Sequence, residues 1–250
     1  LALHTLLGIP VMTSAILLAL LTGIYTIAGG LKAVVWTEML QLGVLLLGGF
    51  ALSFATIHHT GGWSSVWATS REWKMFYPSD DPDFPWTMYL GGIICISVFY
   101  NATNQFIVQR VLAAKNEWHA RMGVIFSQYL KFLIPLIIVV PALVAPSIFP
   151  DLEQPDLLFP LLVETLLPAG LVGLVMAGLI AAMMSHLSGA INSSTTILTV
   201  DIYQPYLNKN STDHQAVRFG RWSGTVIILL GIITTAAFLE HSDKPVFLYI

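Results

Sequence analysis

The chain is poor in charge. Only 10% of its 250 residues are Asp, Glu, Lys or Arg, while 56% are hydrophobic. A soluble domain carries about 25% charged residues, so this composition points to an integral membrane protein. The net charge of -3 is weak and implies no nucleic-acid partner. One cysteine, Cys95, excludes an intramolecular disulfide framework and a cysteine-rich metal site. It lies in an apolar segment, where packing is its expected role. No basic n-region with a cleavage site is visible, so no signal peptide is expected. There is no G-x-S-x-G elbow either, and no residue is assigned as catalytic. The chain starts at Leu1 rather than Met, and KPVFLYI stops inside what reads as the start of another apolar segment. A fragment of a longer protein is therefore the expectation.

What the chain has is long apolar runs. A bilayer core of ~30 Å needs ~20 mostly apolar residues per helix. Six spans satisfy this within one transmembrane domain over 1–250: roughly 7–28, 33–57, 86–108, 122–148, 170–203 and 219–239. Gly29 and Gly30 make a tight break between the first two. The loop 58–85 is rich in Trp, Pro and acid, and its aromatics suit an interfacial layer. Alternating sides, loops 29–32, 109–121 and 204–221 carry Lys32, Arg110, Lys115, Arg121, Lys209, Arg218 and Arg221. The opposite side, with loops 58–85 and 149–169 and the 240–250 end, carries only Arg71, Lys74 and Lys244, and most of the acids. The positive-inside rule makes the first set cytoplasmic in a multi-pass cell-membrane protein.

Polar groups inside these spans carry the functional information. Lys131 sits ~15 Å along its helix, near the bilayer centre. A charge there costs at least ~2.5–3.5 kcal/mol unless it meets a wet cavity or a partner. Pro135 removes the usual helical donor for the Lys131 carbonyl. A cavity role and a structural pairing both fit. Ser97, Tyr100, Asn101, Asn104 and Gln105 share one broad helical face, suited to lining a cavity or to bonding a neighbouring helix. Along AAMMSHLSGAINSSTTILTVDIY (181–203), Ser185, Ser188, Asn192, Thr195, Thr196 and Thr199 form a stripe. Two readings remain open for it: helix–helix adhesion beside the small Gly178, Ala182 and Gly189, or a water-filled path whose oxygens suit a hard cation. His186 is either a hydrogen-bonded packing residue or a titrating group.

Four ordered blocks resemble the sodium/solute symporter family, in its sodium/glucose and sodium/galactose branch. They are YTIAGGLKAVVWTEMLQ (25–41), NQFIVQRVLAAK (104–115), YLKFLIPLIIVVPALVA (129–145) and MAGLIAAMMSHLSGAINSSTTILTVDIY (176–203). The resemblance implies an all-α integral membrane protein with a LeuT-type fold of two inverted repeats. The chain would hold about six transmembrane helices, core helices 4 to 9, and lack core helices 1 to 3 and 10. The polar stripe would then belong to the eighth core helix, whose cytoplasmic half lines the sodium site and the inward exit.

The same resemblance implies roles residue by residue. Ala182 takes the position of a carbonyl ligand for sodium and Ser185 that of the first hydroxyl ligand. The second hydroxyl position is His186 here, a departure, since imidazole is a poor sodium ligand and an imidazolium could replace the ion. Glu38 stands where an acid, usually Asp, assists sodium release. Tyr100 matches the tyrosine that closes the solute pocket from the cytoplasmic side, and Lys131 a lysine that bonds sugar hydroxyls. Ser97 replaces a sugar-binding Asn or Thr, and Asn101 stands where a bulky residue often follows the gate.

The implied function is sodium-coupled secondary active symport of a small polar solute, a sugar or polyol, across a lipid bilayer. Na+ is the coupling ion, and no other cofactor is expected. A proton-coupled or ion-independent carrier on the same fold is the nearest alternative, because of His186. A sensor or structural subunit that lost transport is another. An intramembrane serine hydrolase is disfavoured, because Ser185 and His186 are adjacent and diverge on a helix.

Overall fold

The computed structural model describes residues 2–70, 76–82, 85–150, 152 and 157–241. Arg71, Lys74 and Lys244, counted above on the side expected to be non-cytoplasmic, lie outside them, as do the acids Glu72, Asp83, Asp151, Glu153, Asp156 and Asp243 of the same segments. Among the described residues the regular structure is helical, apart from an isolated bridge between Tyr77 and Pro85. Five helical stretches are long and apolar enough to cross a membrane: Val11–His59, Tyr89–Leu112, Glu117–Ile148, Ala169–Leu207 and Asp213–Ala237. The chain packs as two compact units, Leu1–Leu45 with Met176–Ile250, and Leu46–Val175.

The first unit is built from α1 (Ala2–Leu7), the leading part of α2 (Val11–His59), most of α9 (Ala169–Ile197) and α10 (Asp213–His241). Gly30 has φ 59° and ψ -159°, a conformation open to glycine alone, and α2 kinks there. The first two expected spans lie on either side of this kink. Arg221 on α10 donates to the Ala28 carbonyl at 3.4 Å, placing a cation where the helix before the kink ends. Gly178 lets α9 approach α2 closely: a Cβ there would lie 3.2 Å from Leu45 Cα and 3.4 Å from the Val44 oxygen. Beyond Ile197, α9 widens into a π-helical stretch, Leu198–Leu207, which contains Pro205. Proline has no N–H for the α-helical ladder. Tyr203 in this stretch stacks on Phe219 of α10 with centroids 4.2 Å apart.

The second unit holds the rest of α2, α3 (Trp63–Ser70), α4 (Ile94–Val98), α5 (Gln105–Leu112), α6 (Glu117–Lys131), α7 (Val140–Ile148) and α8 (Leu158–Leu166). Part of the expected loop 58–85 is helical. Gly61 and Gly62, with φ 89° and 100°, turn the chain after α2, and α3 buries Val66 against Val140, Val144 and Ile57. The expected loop 149–169 likewise contains α8, anchored by the buried Leu162 and Val163.

Two expected spans are interrupted. The span 86–108 runs through π-helical stretches on either side of α4 and then breaks at Asn104, which has ψ 118°. The Asn104 side chain accepts from the Phe106 amide at 3.0 Å, so it caps α5 instead of extending a cavity stripe. The span 122–148 starts earlier, at Glu117, with Asn116 capping through the His119 amide. It breaks at Phe132–Leu133 and resumes as a π-helical stretch, Pro135–Val139. In that register the Leu136 carbonyl faces Pro141, which has no N–H. Ser53 on α2 supplies the missing donor, its Oγ 2.6 Å from the Leu136 oxygen.

Candidate transport sites

In the first unit, α2 and α9 run side by side and bring Glu38 to Ser185. The serine Oγ donates to Glu38 Oε1 at 3.2 Å. Both residues are half-buried on otherwise apolar helices. Ala182 is one turn earlier on α9, on the Ser185 side. Ser188 Oγ, fully buried, donates back to the Ser185 carbonyl at 2.9 Å. Tyr25 closes the next contact, its hydroxyl 3.3 Å from the Met184 carbonyl. His186 is exposed, because neighbouring helical positions point ~100° apart.

The polar stripe continues from this pair toward the C-terminal end of α9. Ser188, Asn192, Ser193 and Thr199 are all at least nine-tenths buried. Several of its hydroxyls donate to carbonyls of their own helix: Ser193 to Ala190, and Thr195 and Thr196 to Asn192. This lets much of a polar sequence pack inside a helical unit, although the buried Thr199 hydroxyl has no hydrogen-bond partner. A cavity of about 430 Å³ opens beside it, lined by Thr26, Asn192, Thr195, Thr196, Thr199 and Arg221 among others.

In the second unit, Lys131 and Asn101 meet. The ammonium donates to Asn101 Oδ1 at 3.0 Å, and Asn101 Nδ2 donates to the Ser97 carbonyl at 2.8 Å. Ser97 thus enters through its backbone. Tyr100, Asn101 and Lys131 line a cavity of about 400 Å³ together with Arg110, His119, Ser127 and Gln128. Arg110 lies over the Phe106 ring, 4.6 Å from its centroid, and donates to the Phe106 carbonyl.

A family model, the sodium:solute symporter family, matches residues 1–250. The chain belongs to that family. Among its curated relatives in the symporter family are a sodium/glucose cotransporter of Vibrio parahaemolyticus, 34% identical over 93% of this chain and 48% of the relative, and sodium/myo-inositol cotransporter 2 of Homo sapiens, 33% identical over 92% of this chain and 39% of the relative. The chain spans less than half the length of these two relatives. A solved Na+-coupled sialic acid symporter, in a substrate-bound outward-open state, superposes with a TM-score of 0.86 over 96% of this chain and 54% of that one, at 22% identity. The fold is therefore a partial LeuT-type transporter fold, all-α and membrane-embedded.

Within this symporter fold the eight residues singled out from the sequence fall into two groups. Glu38, Ala182, Ser185 and His186 belong to the first unit, and Ser97, Tyr100, Asn101 and Lys131 to the second. Glu38 meets Ser185 in the first group, and Lys131 meets Asn101 in the second. Sequence reasoning did not single out Tyr25 or Gln41. Both lie in the quoted block 25–41, and Gln41 follows Glu38 at a helical i, i+3 spacing that marks a shared face.

Proposed function

We propose that this chain is the central part of a sodium-coupled secondary active symporter for a small, hydroxyl-rich solute, a sugar or polyol. The observation that carries the reading is the Ser185–Glu38 hydrogen bond at 3.2 Å, which gathers a hydroxyl and a carboxylate between two apolar helices. Sodium is a hard cation and takes oxygen donors of this kind. In this reading Ala182 offers its carbonyl, Ser185 its hydroxyl, and Glu38 the charge that helps the ion leave inward. Lys131, held by Asn101, bonds solute hydroxyls, with Ser97 beside it. Tyr100 closes the solute pocket toward the cytoplasm and moves aside for release. The relatives named for sodium/glucose and sodium/myo-inositol cotransport support this solute class.

Sodium shifts the carrier between conformations only by its differential affinity for them. The protein sits in the cell membrane as a multi-pass protein, with loops 29–32, 109–121 and 204–221 in the cytoplasm. His186, at the second hydroxyl position, favours one alternative, a proton-coupled or ion-independent carrier.

The test is uptake of labelled glucose, galactose and myo-inositol into proteoliposomes holding the full-length protein, with and without an inward sodium gradient. Uptake of at least one solute is expected only with sodium, and Ser185→Ala is expected to raise the half-saturating sodium concentration at least ~10-fold, about 1.4 kcal/mol. Solute uptake unchanged by Ser185→Ala at low sodium removes this ion site.

A further inference from the structure

Gln41 carries a buried side-chain oxygen with no hydrogen-bond partner. A buried, unmet acceptor destabilises a folded protein, and one that is retained calls for an explanation. Its position supplies one. On α2, Glu38 faces Ser185 of α9, and two turns further on Val44 and Leu45 lie against Gly178, two turns back along α9. The two helices therefore run antiparallel in register over this stretch. Three residues on from Glu38 is Gln41, and three residues back from Ser185 is Ala182. Gln41 stands level with Ala182, one turn from the Glu38–Ser185 contact, with its amide oxygen buried in the same unit.

We infer that Gln41 is a further oxygen ligand of the coupling cation, completing a hard-oxygen set with the Ala182 carbonyl, Ser185 Oγ and Glu38. This rests on the proposed sodium site at Ala182 and Ser185. A neutral amide oxygen suits the position chemically: it stabilises a monovalent cation without adding a second carboxylate that would hold the ion too tightly to release. The orphaned acceptor is satisfied when the ion arrives. The polar group destabilises the sodium-free protein and stabilises the loaded one.

The test separates this role from a packing role, using thermal unfolding of the full-length protein in detergent, in sodium chloride against choline chloride at equal ionic strength. Ligand binding to the native state raises the unfolding temperature according to concentration and affinity. Gln41→Leu keeps the approximate volume and removes the orphan. It is expected to unfold in choline at the wild-type temperature or above, and to need at least ~10-fold more sodium for half of the wild-type shift. Gln41→Asn, which keeps the amide but draws it back, is expected to weaken sodium in the same direction. Gln41→Leu with the wild-type sodium shift at the wild-type half-saturation overturns the assignment. So does a Gln41→Leu protein less stable in choline, because the amide is then tied into the fold. Ser185→Ala in parallel separates the two ideas. Failure of both wild type and Ser185→Ala to respond to sodium removes the sodium site itself, whereas a wild-type response lost in Ser185→Ala but kept in Gln41→Leu removes only the role of Gln41.

Discussion

The Lys131 ammonium donates to the side-chain oxygen of Asn101 at 3.0 Å, across 30 residues of sequence, and Asn101 is itself tethered to the Ser97 carbonyl. A lysine on a four-carbon stem is flexible, and a bonded amide fixes where its charge sits. Asn101→Leu removes the amide and leaves the lysine loose. The expected outcome is a rise of at least ~10-fold in the half-saturating solute concentration, with the half-saturating sodium concentration unchanged. Paired titrations of uptake in proteoliposomes check both. A shift in the sodium titration alone would contradict this positioning role.

Ser53 and Pro141 form a second testable pair. Ser53 Oγ serves the Leu136 carbonyl, which Pro141 cannot reach with a donor in the π-helical register. Ser53→Ala leaves that carbonyl unmet inside the second unit, at a cost of about 1–3 kcal/mol. Pro141→Ala restores an N–H at the position that needs it. The double variant is therefore expected to recover part of the stability that Ser53→Ala alone loses. Thermal unfolding of the three variants measures the coupling, and strictly additive losses would show that Pro141 is unrelated to the Ser53 bond.

Much of this architecture was readable from hydropathy, because a bilayer demands long apolar runs and the chain supplies them. The kink at Gly30 was readable as IAGG. Shorter elements were not. α3 and α8 are brief helices in segments whose Trp, Pro and acidic content reads as loop, and burial of Val66, Leu162 and Val163 decides their fold. Asn104 misled for a different reason. Its spacing fits a cavity stripe as well as a cap, and only its backbone conformation separates the two. The contact of Glu38 with Ser185 spans 147 residues, a distance that no local pattern reports. Gln41 was visible at i, i+3 from Glu38, yet its missing hydrogen bond is a property of packing and not of spacing.

Gly178 sets the approach of α9 to α2 in the first unit. A Cβ at this position would meet the Leu45 Cα at 3.2 Å and the Val44 oxygen at 3.4 Å, both backbone atoms that cannot rotate away. Gly178→Ala forces the helices apart, and overpacking of this kind costs about 1–3 kcal/mol. The same displacement separates Glu38 from Ser185 two turns along. Gly178→Ala is therefore expected to lower the unfolding temperature and to weaken sodium. An unfolding temperature at or above wild type would show that the glycine is not needed for the approach.

His186 follows Ser185 directly, and the geometry of a helix turns its ring ~100° away from the serine. The imidazole is exposed while Ser185 is half-buried against Glu38. An imidazole nitrogen is a softer donor than a hydroxyl oxygen and a poor match for a hard alkali cation. His186→Ser places a hydroxyl next to Ser185, at the position proposed above for a second hydroxyl ligand. If sodium binds beside Ser185, the added oxygen is expected to lower the half-saturating sodium concentration by ~3- to 10-fold, under ~1.4 kcal/mol of added stabilisation. Uptake against sodium concentration at fixed pH reads this directly. A wild type that ignores sodium, beside a His186→Ser variant that depends on it, would mean that the histidine stands in for the ion. A pH-linked current in wild type then identifies a proton-coupled carrier, and its loss in His186→Ser ties the current to this ring.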